Sequence, residues 1–110
     1  MAKYITFFSY TEETWAKMIA NPSDRLAAVR ASAQSLGGDV EALYYMFGSH
    51  DGFVISDLPD AAAAAGLSLA VNSTGAAKAL ETHEIFPSSE LPAVLERAAT
   101  VQRAYRTPGS

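Results

Sequence analysis

The stretch from Gly37 to Asp60 constrains the fold of this chain more than any other. Two runs of β-prone residues, Val40 to Phe47 and Phe53 to Leu58, flank a short polar turn from Gly48 to Gly52. Two such runs joined by a turn that contains glycine predict a β-hairpin. The rest of the chain can therefore be arranged around a central pair of antiparallel strands.

One further strand is predicted before the hairpin in the sequence, and one after it. Residues 3–10 are rich in aromatic and β-branched side chains, which favour a strand, and residues 76–86 form the second candidate. In the first strand, Tyr4, Thr6, Phe8 and Tyr10 share one face, while Ile5 and Phe7 share the other. Because both faces are apolar, we expect each of them to be covered.

Helices are predicted between these strands. Thr11 can cap a first helix, which Asn21-Pro22 interrupts before the helical pattern restarts and runs to Gly37. Asp60 can cap an alanine-rich helix over residues 61–73. A final helix from Ser88 or Ser89 carries an apolar stripe that we expect to be buried, formed by Leu91, Val94, Leu95, Ala98 and Val101.

The order strand, helix, strand, strand, helix, strand, helix predicts one α+β domain. It is the ferredoxin-like split βαβ pattern with a four-stranded antiparallel sheet and an extra C-terminal helix. We expect the domain to span residues 1–102 and residues 103–110 to form a frayed polar tail. Helices cover one face of such a sheet. We expect a second copy to cover the other, giving a dimeric α+β barrel or a higher homo-oligomer.

Composition narrows the classes of partner. The net charge is −4 and the eight basic residues are scattered, so no nucleic-acid partner is expected. The absence of cysteine excludes disulfides, thiolate catalysis and Cys-ligated metal centres. No signal peptide or membrane-length apolar run is visible, so we expect a cytoplasmic protein without a membrane partner. No cofactor is expected, because the glycines form no phosphate-binding fingerprint.

Taken in order, several short segments make the chain similar to the GYD-domain family of small bacterial and archaeal proteins. The resemblance covers residues 3–95 and implies a ferredoxin-like fold that assembles through its sheets; it implies no activity. The family motif has Gly-x-Tyr-Asp in the central turn, and here His50 stands at the Tyr position. The segments are Tyr10-Thr11-Glu12-Glu13, Asn21-Pro22 with Arg25, Leu36-Gly37-Gly38, Tyr44-Tyr45-x-Phe47-Gly48-Ser49-His50-Asp51, Leu58-Pro59-Asp60 and Gly75.

The candidate catalytic residues are His50, Asp51 and Tyr45. An imidazole can transfer protons near neutral pH, a neighbouring carboxylate can orient it, and a phenol can donate a hydrogen bond to a substrate. The alternative is that Asp51 stabilises the turn through its backbone while His50 is solvated.

The candidate substrate-binding residues are Tyr44, Phe8, Tyr10, Trp15 and His83. The aromatic side chains could line an apolar pocket, or they could be core or dimer interface. His83 shares strand parity with Glu81 and could face the barrel, or it could be exposed or part of the interface. No metal site is expected, because the spacing of the two histidines does not favour one. Arg25 and Arg30 could hold an anionic substrate or form a solvated helix face.

Three functions therefore remain open. The first is an enzyme that acts by general acid/base chemistry on a small apolar or aromatic metabolite in a barrel pocket. The second is a non-catalytic module that binds a small-molecule ligand in the same pocket. The third is a structural oligomer whose aromatic sheet face is consumed by assembly.

Overall fold

The computed structural model describes all 110 residues and confirms the predicted order of elements. A 3₁₀ turn, Ser88–Glu90, precedes the last helix. The break at Asn21-Pro22 separates the first two helices, as predicted. The strands are β1 (Ala2–Tyr10), β2 (Asp39–Tyr45), β3 (Gly52–Leu58) and β4 (Ala77–Ile85), and the helices are α1 (Glu12–Ala20), α2 (Arg25–Gln34), α3 (Ala61–Ser73) and α4 (Leu91–Ala104).

Side-chain caps fix the start of three helices. The Thr11 hydroxyl accepts a hydrogen bond from the Thr14 N–H at 3.2 Å, and the Asp60 carboxylate accepts one from the Ala63 N–H at 2.9 Å. Asp24 does the same at the start of α2. Each cap satisfies a backbone donor that the helix itself cannot, so these boundaries are encoded locally.

The strands form one antiparallel sheet in the order β2-β3-β1-β4. This order, with two helices packed on one face, is that of a ferredoxin-like α+β fold, as predicted. Phe7 on the central strand β1 pairs with Phe53 on one side and with Glu81 on the other. Side chains that are paired in this way share a face of the sheet.

The hairpin loop is longer than predicted. β2 ends at Tyr45 rather than Phe47, so residues 46–51 form the connection, and Phe47 is fully exposed. The Met46 N–H donates to the Asp51 carbonyl oxygen at 2.8 Å and closes the loop. Gly52 starts β3 at a place where a Cβ atom would lie 2.5 Å from the Tyr44 carbonyl oxygen, so only glycine fits without a shift.

The core lies between the sheet and helices α2 and α3. We call this side of the sheet the helix face. Its buried apolar residues are few and several are small: Tyr4, Phe8, Ala33, Val40, Leu58 and Ala64.

The opposite side, which we call the open face, is not covered within one chain. Ile5 pairs with Ile55 and Phe7 with Phe53, and all four side chains are half-buried, while Tyr44 is exposed. The dimeric barrel concerns contacts between copies of the chain, and it stays a prediction.

The last helix forms where predicted, but its apolar stripe is not buried, contrary to our expectation. Leu95 and Val101 are each nearly 60% exposed, and no residue of α4 is buried. The radius of gyration is 17.7 Å, against about 13 Å for a compact domain of this length. Hence α4 projects away from the sheet. None of the helices combines the length and apolar character needed to cross a membrane.

Candidate functional site

A cavity of about 200 Å³ lies between the helix face of the sheet and helices α2 and α3. Fourteen of its 20 lining residues are hydrophobic, among them Val29 on α2, Val54 on β3 and Val71 on α3. The cavity exists because residues that line it from the helices, such as Ala64 and Ser68, are small and leave the space that a larger side chain would fill. The lining of this cavity is therefore largely apolar.

A short row of hydroxyl groups interrupts this apolar lining. The Thr6 and Thr82 hydroxyls lie 3.0 Å apart on neighbouring strands, and the Ser68 hydroxyl lies 3.4 Å from that of Thr82. A hydroxyl can both donate and accept a hydrogen bond. The row can therefore pair with a single polar group on a ligand.

An aromatic cluster stands at one end of the cavity. Phe8 and Tyr10 line the cavity itself, and Tyr45 meets Phe8 edge-on with ring centroids 5.7 Å apart. Trp15 meets Tyr10 edge-on at 5.1 Å. The hydroxyls of Tyr10 and Tyr45 lie 3.2 Å apart. The pKa of Tyr45 is raised well above its ordinary value, first because the cluster desolvates its phenol and then because of this hydrogen bond.

Asp51 anchors the hairpin loop to this cluster. One carboxylate oxygen accepts the backbone N–H of Tyr10 at 2.8 Å and the indole N–H of Trp15 at 3.0 Å. The Asp51 N–H in turn donates to the Phe8 carbonyl oxygen at 2.8 Å. These bonds connect the loop to both β1 and α1, which is a structural use of the carboxylate.

His50 points to the other side of the sheet. Its ring lies 5.3 Å from that of Phe7 on the open face, and its Nδ1 atom is buried without a hydrogen-bond partner. His50 and Asp51 are thus neighbours in sequence, but their side chains lie on opposite sides of the sheet. Within one chain the structure does not bring His50, Asp51 and Tyr45 into a single site, and their catalytic role stays a prediction.

The other predicted binding residues divide in the same way. Tyr44 stacks on Phe53 at 5.4 Å on the open face. There the His83 Nε2 lies 3.0 Å from a Glu81 carboxylate oxygen, and this hydrogen bond is the main reason why the pKa of Glu81 is lowered. The helix face therefore holds Phe8, Tyr10, Trp15, Tyr45 and Asp51, and the open face holds His50, His83 and Tyr44.

The sequence was compared with models of known protein families. The family model of the GYD domain matches residues 4–95, from β1 into the start of α4. The chain belongs to the GYD-domain family. In this GYD-domain protein the match spans the hairpin loop, helices α1, α2 and α3, and all of the sheet apart from Ala2 and Lys3. Most of α4 lies beyond it. The search of curated proteins finds no match.

Two of the residues predicted to line an apolar pocket, Phe8 and Tyr10, line the cavity of this GYD-domain protein. The hydroxyl row was missed: the strand alternation places Thr6 on the face that carries Phe8, but Ser68 and Thr82 are not among the predicted residues. A local signal exists, because Ala64, Ser68 and Val71 recur at helical spacing and form the inner side of α3. The pattern identifies the inward side of the helix, whereas the space beside it depends on side chains from α2, α3 and all four strands.

Proposed function

We propose that this GYD-domain protein binds a small, largely apolar molecule in the cavity between the sheet and helices α2 and α3. The observation that carries the proposal is the cavity itself, about 200 Å³ with a mainly hydrophobic lining. Apolar cavities of about 150 Å³ accept benzene in other proteins. A ligand with one aromatic ring, or a short aliphatic chain, has the right size.

Occupation of the cavity is favourable because its lining is mainly apolar. A ligand that removes this apolar surface from water gains about 25 cal/mol per Å² buried. A bound ligand restores the missing contacts of the lining residues, and the hydroxyls of Thr6, Ser68 and Thr82 can orient it.

A pair of substitutions on one helix tests the proposal. Val71 lines the cavity, whereas its neighbour Ala70 is exposed and does not. We expect the wild-type chain and Ala70→Phe to bind toluene in an NMR titration. Val71→Phe should bind it at least ten-fold more weakly, because the new ring occupies the space. Thermal unfolding verifies that both variants fold. Equal binding by the two variants, or no binding by the wild type, would contradict the proposal.

General acid/base chemistry by His50 is the second candidate function. It is favoured by one observation: the Nδ1 atom of His50 is buried and unpartnered beside the uncovered apolar residues of the open face. If two open faces meet in a dimeric α+β barrel, this nitrogen lies at an enclosed interface. Glu81 is then the nearby carboxylate, since Asp51 is engaged by Tyr10 and Trp15. His50→Ala should lower turnover of a substrate and leave its affinity unchanged; unchanged turnover would exclude the role.

The predicted homo-oligomer fits the anatomy of the open face. Ile5, Phe7, Phe53 and Ile55 form an apolar centre, and charged groups such as Lys3, Asp57 and Glu81 surround it. An apolar core with a polar rim is typical of protein interfaces. A second copy is the partner that we propose, because a two-fold axis brings the same patch of each chain together.

A further inference from the structure

Arg25 differs from the other arginine of helix α2 in having no partner within the chain. Arg30 forms an ion pair with Asp39 at 3.3 Å and donates to the Val40 carbonyl oxygen at 3.2 Å. Arg25 makes neither an ion pair nor a side-chain hydrogen bond, although it is half-buried and lines the cavity. A half-buried guanidinium without a counter-charge in the chain can bind an anion by charge-assisted hydrogen bonds.

The position of Arg25 links the cavity to the solvent. The residue lines the cavity and also an outer groove between α1 and the hairpin loop, which Trp15, Leu43 and Tyr45 help to form. Its positive charge acts on the Tyr45 phenol, where it opposes the other influences by lowering the pKa. Arg25 and Tyr45 therefore line the same groove, and the Tyr45 hydroxyl lies 3.2 Å from that of Tyr10.

Two carboxylates lie near this point, and both have other partners. Asp51 also lines the outer groove, but its carboxylate accepts from Tyr10 and Trp15. Asp24, next to Arg25 in sequence, caps α2 by accepting from the Ala27 N–H at 3.1 Å. Neither is within ion-pair distance of the Arg25 guanidinium, which leaves this cation available to a ligand.

We infer that the ligand of the cavity is a small apolar carboxylic acid whose carboxylate binds Arg25 while its apolar body lies among the residues of the cavity. The planar guanidinium matches the two oxygens of a carboxylate. One cation balances one negative charge, which favours a carboxylate over a phosphate dianion. The Tyr10 and Tyr45 hydroxyls can donate to the same oxygens. This inference rests on the proposed function, since it names the class of molecule that the cavity takes.

Phenylacetate and its neutral isostere phenylacetamide share the same apolar body and differ in charge. Comparison of their affinities therefore measures the contribution of the carboxylate alone. NMR titrations of the wild type should give a dissociation constant about ten-fold lower for phenylacetate than for phenylacetamide, since charge-assisted hydrogen bonds are the stronger ones. Arg25→Gln should remove this preference and leave the affinity for phenylacetamide within two-fold. Arg97→Gln removes the same charge from the exposed helix α4, and it should keep the preference.

Two results would overturn the inference without touching the proposed function. One is equal affinity of the wild type for the two probes. The other is a preference for phenylacetate that survives Arg25→Gln. The comparison of the probes on the wild-type chain needs no variant, so it decides the question even if Arg25→Gln does not fold. By contrast, failure of toluene and both probes to bind the wild type would refute the proposed function itself.

Discussion

The carboxylate of Asp51 accepts the indole N–H of Trp15 at 3.0 Å, across the junction between the hairpin loop and helix α1. The same oxygen accepts the backbone N–H of Tyr10. A residue that the sequence suggests as a catalytic partner of His50 thus holds the loop in place, and His50 itself projects to the opposite face. His50 therefore lies beside the open face and Asp51 beside the aromatic cluster of the helix face.

Removal of this carboxylate should therefore destabilise the fold. We expect Asp51→Ala to lower the free energy of unfolding by about 1–3 kcal/mol, because two donors lose a charged acceptor. Urea denaturation of Asp51→Ala, Trp15→Phe and the double variant measures the coupling between the two residues. If the effects of the two single substitutions simply add, the hydrogen bond between them contributes nothing.

Two glycines should respond in opposite directions to the same substitution. Gly52→Ala places a Cβ atom 2.5 Å from the Tyr44 carbonyl oxygen and from the Phe8 ring, and it should cost about 1–3 kcal/mol. Gly66→Ala lies in the exposed interior of α3 with nothing within 4 Å, and it should stabilise by roughly 0.5–1 kcal/mol. Thermal unfolding checks both. If Gly52→Ala left the free energy of unfolding unchanged, β2 and β3 would have to lie further apart than they do in this structure.

Tyr45 should make the protein sensitive to alkali. Its folded pKa is raised, so the neutral phenol is favoured in the folded state. The contribution of Tyr45 to the free energy of unfolding is fully present below about pH 10, the pKa of tyrosine in an unfolded chain. It is lost as the pH rises through the higher pKa that Tyr45 has in the folded state. We expect the unfolding free energy to fall above about pH 10, and to fall less steeply in Tyr45→Phe. Identical pH profiles for the two proteins would contradict the raised pKa.

The homo-oligomer can be tested by charging each face in turn. Phe7→Asp introduces a charge at the centre of the open face, and it should convert the assembly into monomers on size-exclusion chromatography with light scattering. Leu69→Asp is the matched control, since Leu69 is 69% exposed on the outer side of α3. A wild-type chain that is monomeric at all concentrations, or a Phe7→Asp variant of unchanged size, would refute pairing through this face.

Much of the fold follows from local signals in the sequence. Thr11 and Asp60 specify helix starts, Pro22 specifies a break, and the alternation from Tyr4 to Tyr10 specifies the two faces of β1. The C-terminal helix shows what local signals do not predict. Its stripe from Leu91 to Val101 predicts a helix correctly, but periodicity does not say what covers the stripe, and within one chain nothing does.

The candidate site was harder to predict because it depends on contacts between distant elements. Asp51 is held by Tyr10 and Trp15 and His50 packs on Phe7, and all three partners are distant from the loop in sequence. The cavity depends on the sizes of side chains on α2, α3 and the sheet taken together. Arg25 and Arg30 look equivalent on a helix, and only the position of Asp39 and Val40 on β2 distinguishes them.

The most direct test of the central claim is a measurement of where toluene binds. Intermolecular NOEs between the ring protons of toluene and methyl groups of the wild-type chain locate the ligand without any substitution. We predict NOEs to Val29, Val54, Leu67 and Leu80, which line the cavity from α2, the sheet and α3. NOEs only to exposed apolar residues such as Leu69, Leu95 and Val101, or no NOEs at all, would contradict the account.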